Sequence, residues 1–159
     1  GVLSIMPCYN EVNGKPVHGS YEYLTELLRG RLGFRGIVVS DWGGVEMLHR
    51  YHRTAESFKE AVKQAVEAGL DIDSIGGTRF FQALLELVEE GDVSEKRINE
   101  SVRRILEVKF SLGLFDNAYV DPEQPSRTVG CSKHRELALR AARNGSLQLD
   151  SMYSPLERL

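Results

Sequence analysis

The sequence of 159 residues has little cysteine, no concentrated charge and no long apolar run, and each absence excludes a class of protein. Its two cysteines, Cys8 and Cys131, lie far apart and match no disulfide framework, zinc-binding or redox spacing. The 20 Lys and Arg residues against 23 Asp and Glu residues include no basic run, which argues against a nucleic-acid partner. No segment approaches the roughly 20 apolar residues of a membrane span. We therefore expect a soluble protein, whether cytoplasmic, periplasmic or secreted.

The order of the apolar segments predicts an α/β fold. Three short runs rich in Val, Ile or Leu alternate poorly between apolar and polar residues, which favours parallel strands covered on both faces. These predicted strands are Val2–Met6, Gly36–Ser40 and Gly69–Ser74. An amphipathic helix follows each predicted strand, and a fourth helix comes after the helix that follows the third strand. The predicted N-caps are Ser20, Ser57, Thr78 and Ser94, and the predicted terminators include Gly33, Gly69 and Gly91.

The C-terminal part of the sequence has a different pattern. Residues 116–131 are polar and contain two prolines and a glycine, which predicts a linker. Ser132 is expected to cap a last helix that Gly145 ends, and Ser146–Leu149 is expected to form another strand. Because the chain starts at Gly1, directly before an apolar run, we expect it to be part of a longer polypeptide.

The segment after the second predicted strand is the first candidate for chemistry. Asp41 follows the apolar run and is itself followed by Trp42 and two glycines. Loops at the carboxyl ends of parallel strands form the clefts of α/β proteins, so Asp41 is a candidate catalytic carboxylate. The alternative is that Asp41 only caps the next turn or helix.

The loop after the first predicted strand is the second candidate. Tyr9 offers a ring and a hydroxyl group there. Asn10 and Asn13 can form hydrogen bonds with the backbone or with hydroxyl groups of a ligand. An Asn-Gly pair predicts a tight turn in the same loop. Taken alone, such a loop is more often only a turn.

Together these segments resemble glycoside hydrolase family 3, the β-glucosidase and β-xylosidase family. The motifs that carry the resemblance are CYNEVNG at 8–14, LLRGRLGFRG at 27–36 and IVVSDW at 37–42. It continues through EAVKQAVEAGLDID at 60–73, INESVRRILEVKFSLGLFD at 98–116 and HRELALRAARNGSLQL at 134–149. An accidental match in another (β/α) protein is disfavoured by the length of this agreement.

The resemblance implies a fold and a set of site residues. Residues 1–115 would be the last three β/α units of a (β/α)8, TIM-like barrel, 116–131 the interdomain linker, and 132–159 the truncated start of an αβα sandwich. Asp41 would be the nucleophile of a retaining mechanism, and Tyr9 and Trp42 would contact the bound sugar. The acid/base, commonly a glutamate of the second domain, is expected outside this chain. No cofactor or metal is implied.

Two functions follow as alternatives. The first is an exo-acting β-glucosidase or β-xylosidase whose substrates are β-linked glucosides, xylosides or short oligosaccharides. The second is a non-catalytic fragment that at most binds sugar weakly or assembles with the missing domain. Unpaired strand edges would favour oligomers or such an association.

Five further polar residues have simpler expected roles. Glu46 is a conceivable in-chain acid, but a solvated or hydroxyl-binding role is favoured. Asp71 and Asp73 close the third predicted strand and are expected to face the same cleft, where Asp71 would make structural hydrogen bonds and Asp73 a contact at the rim. His49 and His52 have the spacing of a metal pair but lack a third ligand, so we expect them to line a loop.

Overall fold

The computed structural model describes the backbone of residues 1–153 and the side chains of residues 1–145. The chain divides into two compact units, Gly1–Asp116 and Asn117–Leu159. Within the described part of the chain, none of the helices has both the length and the apolar character needed to cross a bilayer.

Short parallel strands organise the first unit. Strand β1 (Ser4–Ile5) pairs in parallel with β4 (Ile37–Val38), and a parallel bridge joins Val39 to Ile72. The prediction of three adjacent parallel segments is therefore confirmed, although the third contributes a single bridge rather than a full strand. An antiparallel hairpin, β2 (Glu11–Val12) and β3 (Lys15–Pro16), lies between β1 and β4 in the sequence.

Helices follow the strands as the sequence predicts. The first unit contains a 3₁₀ turn (Val17–Gly19), a π-helix (Glu22–Arg31), α1 (Gly44–Arg50), α2 (Phe58–Ala68), α3 (Gly77–Glu89) and α4 (Glu95–Ser111). The caps of α2 and α4 are confirmed, because the Ser57 hydroxyl accepts from the Glu60 N–H at 3.1 Å and the Ser94 hydroxyl from the Arg97 N–H at 3.2 Å.

Two details of these helices differ from the prediction. The segment after Ser20 is a π-helix, closed by a hydrogen bond of 2.9 Å from the Leu32 N–H to the Leu27 carbonyl, five residues earlier. Thr78 is not a cap, because α3 begins at Gly77 and its cap position makes no side-chain bond. The Asp73 carboxylate accepts from the Gly76 N–H instead, since the end of the third strand segment brings it within reach.

The core of the first unit lies where the strand segments meet α1, α2 and α3. The largest fully buried apolar side chains there are Leu48, Leu87, Val38, Val45 and Val62. The alanines of α2, including Ala61 and Ala65, are also buried and let neighbouring elements approach closely. This packing fixes the strand ends from which the candidate site residues project.

The second unit contains α5 (Gln124–Thr128) and α6 (Ser132–Tyr153). The prediction that Gly145 ends the last helix and that Ser146–Leu149 forms a strand is wrong, because α6 runs through both. An isolated strand would leave its backbone N–H and C=O groups without protein partners, and residues 117–153 contain no strand that could pair with it. A helix satisfies these groups within itself.

Candidate active site

Asp41 lies two residues beyond the bridge residue Val39, on a backbone segment that is held in place by hydrogen bonds. Ser40 is fully buried, and its hydroxyl contacts the Asp73 carboxylate at 3.0 Å and accepts from the Ser74 N–H at 2.9 Å. The Ser40 N–H also donates to the Ile72 carbonyl at 2.8 Å. The backbone that presents Asp41 is therefore tied to the neighbouring strand segment.

The Asp41 side chain is partly exposed and projects into a tight turn. One carboxylate oxygen, Oδ1, accepts from the Trp42 N–H at 2.7 Å. The turn is closed by a bond of 3.0 Å from the Gly44 N–H to the Asp41 carbonyl, and Gly43 adopts a left-handed conformation with φ 70°. The carboxylate is thus oriented by backbone groups while part of it stays accessible.

Tyr9 lies beside this carboxylate, as the resemblance implies. Its hydroxyl donates to the Trp42 carbonyl at 2.7 Å. The neighbouring Asp41 carboxylate is the main cause that raises the pKa of Tyr9, and desolvation adds to it. The phenol therefore stays protonated beside Asp41, with its proton donated to the Trp42 carbonyl.

The loop that carries Tyr9 is anchored by His52. The His52 ring contacts the Tyr9 carbonyl through Nε2 at 3.1 Å and the Glu11 carboxylate through Nδ1 at 2.8 Å. The loop then enters the β2–β3 hairpin, whose turn residues Asn13 and Gly14 both have positive φ. The Asn-Gly turn expected from the sequence is therefore present.

His18 connects the two loops of the site. It is 2% exposed, and its Nε2 accepts from the Asp41 N–H at 3.1 Å. Its ring stacks on that of Tyr9, with centroids 6.1 Å apart and an angle of 24° between the planes. Gly44 packs against the same ring, because a Cβ built there would lie 2.2 Å from His18 Nε2.

An open cavity of about 350 Å³ lies next to Tyr9. Its lining residues are Tyr9, Asn10, Glu11, Met47, Tyr51 and His52. The Trp42 ring is 73% exposed on the surface of the site. Exposed aromatic faces beside a carboxylate suit a ligand with both apolar faces and hydroxyl groups.

The remaining candidate residues have other partners. Glu46 binds Arg79 and Arg50, each at 3.0 Å, and is not directed at Asp41 by any of these contacts. His49 contacts the Ala55 carbonyl at 3.1 Å, so His49 and His52, which were expected to line a loop rather than to pair on a metal, use different partners. Among the described residues, no three His, Cys, Asp or Glu side chains are grouped so that they could hold a metal ion.

Asp71 makes structural contacts, as expected, but it does not face the cleft. Its buried carboxylate binds Arg29 at 2.6 Å and Arg104 at 2.8 Å, and it accepts from the Ser101 hydroxyl at 2.6 Å. The carboxylate also accepts from the Val38 N–H at 3.0 Å. Asp71 therefore fastens the sheet to the π-helix and α4.

The sequence predicts that Asp41, Tyr9 and Trp42 share one site, but it does not indicate a role for His18 or Ser40. Both are separated from their partners by many residues, 23 between His18 and Asp41 and 33 between Ser40 and Asp73. A hint for His18 was its position between Pro16 and Gly19, just after the Asn-Gly turn of the same loop. The neighbouring sequence does not indicate which backbone group the His18 ring contacts.

Fold and site together define an α/β protein with a partly exposed carboxylate at the carboxyl end of a parallel strand, next to a protonated phenol. The family model described as "Glycosyl hydrolase family 3 N terminal domain" matches residues 1–108. The chain belongs to glycosyl hydrolase family 3, and the resemblance drawn from its motifs is confirmed.

Individual relatives agree with this assignment. The chain is 45% identical over 144 residues to the lysosomal beta glucosidase of Dictyostelium discoideum, which covers 89% of the chain and 18% of the relative. It is 33% identical over 165 residues to a beta-xylosidase of Formosa agariphila, covering 99% of the chain and 23% of the relative. The chain thus spans about a fifth of the length of these curated relatives.

Solved structures match as well. The β-glucosidase of Listeria innocua superposes with a TM-score of 0.75 at 34% identity, over 82% of this chain and 18% of that one. A β-glucosidase of Erythrobacter marinus superposes with a TM-score of 0.80 at 34% identity, over 88% and 18% of the two chains.

Proposed function

We propose that this chain carries the nucleophile of a retaining β-glycoside hydrolase and that Asp41 is that nucleophile. The observation that supports this most directly is the geometry at the end of β4. A partly exposed carboxylate is oriented by the Trp42 N–H and lies beside the Tyr9 hydroxyl, while the Ser40 network fixes the strand beneath it.

The reaction would proceed in two steps. Asp41 attacks the anomeric carbon, a bond forms between its oxygen and that carbon, and the bond to the leaving oxygen breaks as an acid protonates that oxygen. Water then attacks the same carbon, giving its proton to the conjugate base and releasing Asp41. The Tyr9 hydroxyl donates to the Trp42 carbonyl in this structure, and by turning its proton toward Asp41 it would stabilise the negative charge of that carboxylate before attack and as it leaves.

The substrate class follows from the site and from the named relatives. β-Linked glucosides, xylosides or short oligosaccharides present ring faces for Trp42 and hydroxyl groups for the polar loop residues. One solved structure of the Listeria innocua β-glucosidase contains glucose, and a mutant of it contains laminaribiose. We propose exo-acting removal of single sugar units from the non-reducing end.

The acid/base is proposed to lie outside the described side chains. The nearby carboxylates of residues 1–145 are engaged elsewhere: Glu11 with His52, Glu46 with Arg79, and Asp73 with Ser40. A retaining site needs a second carboxyl group about 5 Å from the first. The chain by itself would then bind sugar but hydrolyse it slowly, which is the second candidate function.

We also propose that residues 1–115 form three β/α units of a (β/α)8 barrel, followed by an interdomain linker at 116–131 and the start of a sandwich domain from 132. Supporting this, β1 pairs only with β4 among the described strands. Val2 and Met6 beside it are 70% and 60% exposed, as expected where a further strand packs.

A covalent trap tests the nucleophile. A 2-deoxy-2-fluoro aryl β-glucoside should form a slowly hydrolysed ester in the polypeptide that the gene encodes, and peptide mass spectrometry should place it on Asp41. Glu46→Gln is the matched control, since it removes a nearby carboxylate and should leave labelling unchanged. An adduct on any other residue would show that the assignment of Asp41 is wrong.

A comparison of turnover and sugar binding separates the two candidate functions. This chain alone and the polypeptide that the gene encodes would be compared for aryl β-glucoside turnover and for glucose binding by calorimetry. Turnover at equal rates in both, with an unactivated leaving group as well, would exclude the need for an acid beyond the described residues. Binding without turnover in this chain alone would support the second candidate.

A further inference from the structure

We propose that His18 is a positioning residue for the nucleophile, holding Asp41 and Tyr9 in their mutual geometry through a neutral imidazole. This inference rests on the proposed function of Asp41. His18 is hydrogen-bonded to the Asp41 backbone rather than to its carboxylate. It acts through the Asp41 backbone N–H and through the face of the Tyr9 ring.

The contacts of His18 fix the tautomer of its neutral ring. Nε2 accepts from the Asp41 N–H at 3.1 Å, so the ring proton must be on Nδ1. A hydrogen bond to the Cys8 backbone uses the ring as well. His18 therefore links the segment just before Tyr9 to the backbone of Asp41, and the ring would lose the second link if Nε2 were protonated.

The surroundings favour the neutral ring. Burial is the main cause that lowers the pKa of His18, and the nearby His52 lowers it further, whereas the Cys8 hydrogen bond and the charges of Asp41 and Asp73 oppose the shift. Tyr9, stacked on the ring, is the other titratable group that faces it. The ring is thus an acceptor at neutral pH and ceases to be one as the pH falls through its lowered pKa.

Gly44 completes the arrangement from the other side. A Cβ at this position would meet three atoms of the His18 ring within 2.6 Å, so the ring occupies the space that any other residue would need. The ring is consequently fixed between Tyr9 and the first turn of α1. A displacement of about 1 Å at a reacting group can cost about a hundredfold in rate, which sets the scale of the expected effect.

Two substitutions separate the acceptor from the ring. His18→Phe keeps an aromatic ring for stacking but offers no acceptor, whereas His18→Gln places an amide oxygen near the position of Nε2. We expect His18→Phe to lower kcat for an aryl β-glucoside by about 10- to 100-fold with KM changed less than about threefold, and His18→Gln to stay within about fivefold of the parent.

The pH profile gives a readout that a purely structural role would not move. In the parent, protonation of His18 should add to the loss of kcat/KM on the acid side, and in His18→Gln this contribution should be absent. If His18→Phe does not fold, 15N NMR of the parent still tests the inference, because Nε2 should be unprotonated at neutral pH.

Three results would overturn the inference. They are an unchanged kcat in folded His18→Phe, a pH profile of His18→Gln whose acid side is identical to that of the parent, and a proton on Nε2 of the parent at neutral pH. Each of them leaves the proposed function intact as long as the fluorosugar labels Asp41. Failure of that labelling in the parent would instead reject the function itself, so the two failures are distinguishable.

Discussion

Asp41 and Asp71 lie within a few residues of the same parallel bridge, Val39 to Ile72, yet their environments are opposite. The Asp71 side chain is fully buried among three arginines, Arg29, Arg97 and Arg104. The Asp41 side chain is partly exposed, and within residues 1–145 no ion pair involves it. Its carboxylate accepts from the Trp42 N–H, and the Tyr9 phenol lies beside it.

The difference shows how one residue type serves two purposes in one sheet. Burial lowers the pKa of Arg29 and Arg97, and the charge of Asp71 opposes that shift, so carboxylate and guanidinium groups depend on each other. Such a carboxylate is unavailable for chemistry. Asp41 is oriented by neutral groups, which keep it in place without neutralising its charge.

Removing the carboxylate charge of Asp41 should produce the largest effect, and only on activity. Asp41→Asn is expected to reduce hydrolysis of an aryl β-glucoside by about 10⁴-fold or more, as loss of a nucleophile does in other enzymes. The thermal unfolding midpoint should hardly change, since the amide can still accept from the Trp42 N–H. Near-normal activity would contradict the assignment.

The same change at Asp71 should have the converse result. Asp71→Asn leaves buried arginines without their counter-charge and is expected to lower the free energy of unfolding by about 3–5 kcal/mol, measured by urea titration. Asp92→Asn is the control, because its partner Lys63 is 3.1 Å away in a half-exposed pair, and such pairs contribute about 0–1 kcal/mol. Equal losses in the two variants would contradict the comparison.

A larger side chain at Gly44, the first residue of α1, should have an intermediate effect. In Gly44→Ala the new methyl group would collide with the His18 ring, so we expect a loss of about 1–3 kcal/mol in unfolding free energy together with reduced kcat. Gly30→Ala is the control, because its Cβ would lie 3.6 Å from the Thr25 carbonyl in ordinary contact. A fully active, fully stable Gly44→Ala would show that His18 is not confined.

Much of the fold and of the candidate site could be predicted from the sequence, for physical reasons. The parallel strand segments and most helix ends depend on local patterns, such as Ser57 before Glu60 and Gly91 after α3. Asp41 and Tyr9 were expected together because the carboxyl ends of parallel strands share one edge of a sheet, and the family motifs supported the same pairing.

The unpredicted features depend on contacts between distant residues. The role of His18 requires that its ring meet a backbone N–H 23 residues away, and Thr78 was displaced as a cap by Asp73, which reaches Gly76. The strand expected at 146–149 failed for a related reason, since a strand exists only with a partner and α6 needs none. Periodicity carries no information about such pairings.

The smallest effect is expected at Glu46, and it separates the nucleophile from its acidic neighbour. Glu46 pairs with Arg79 and Arg50 at the surface, with its side chain 34% exposed, so Glu46→Gln should cost less than about 1 kcal/mol in unfolding free energy. Hydrolysis should remain within about twofold, because no proton transfer is assigned to this carboxylate. If activity fell as far as in Asp41→Asn, Glu46 would be an acid of the reaction, and the site would hold both carboxylates within the described residues. Measuring both variants with one activated and one unactivated leaving group distinguishes these cases, since loss of an acid impairs the poorer leaving group far more.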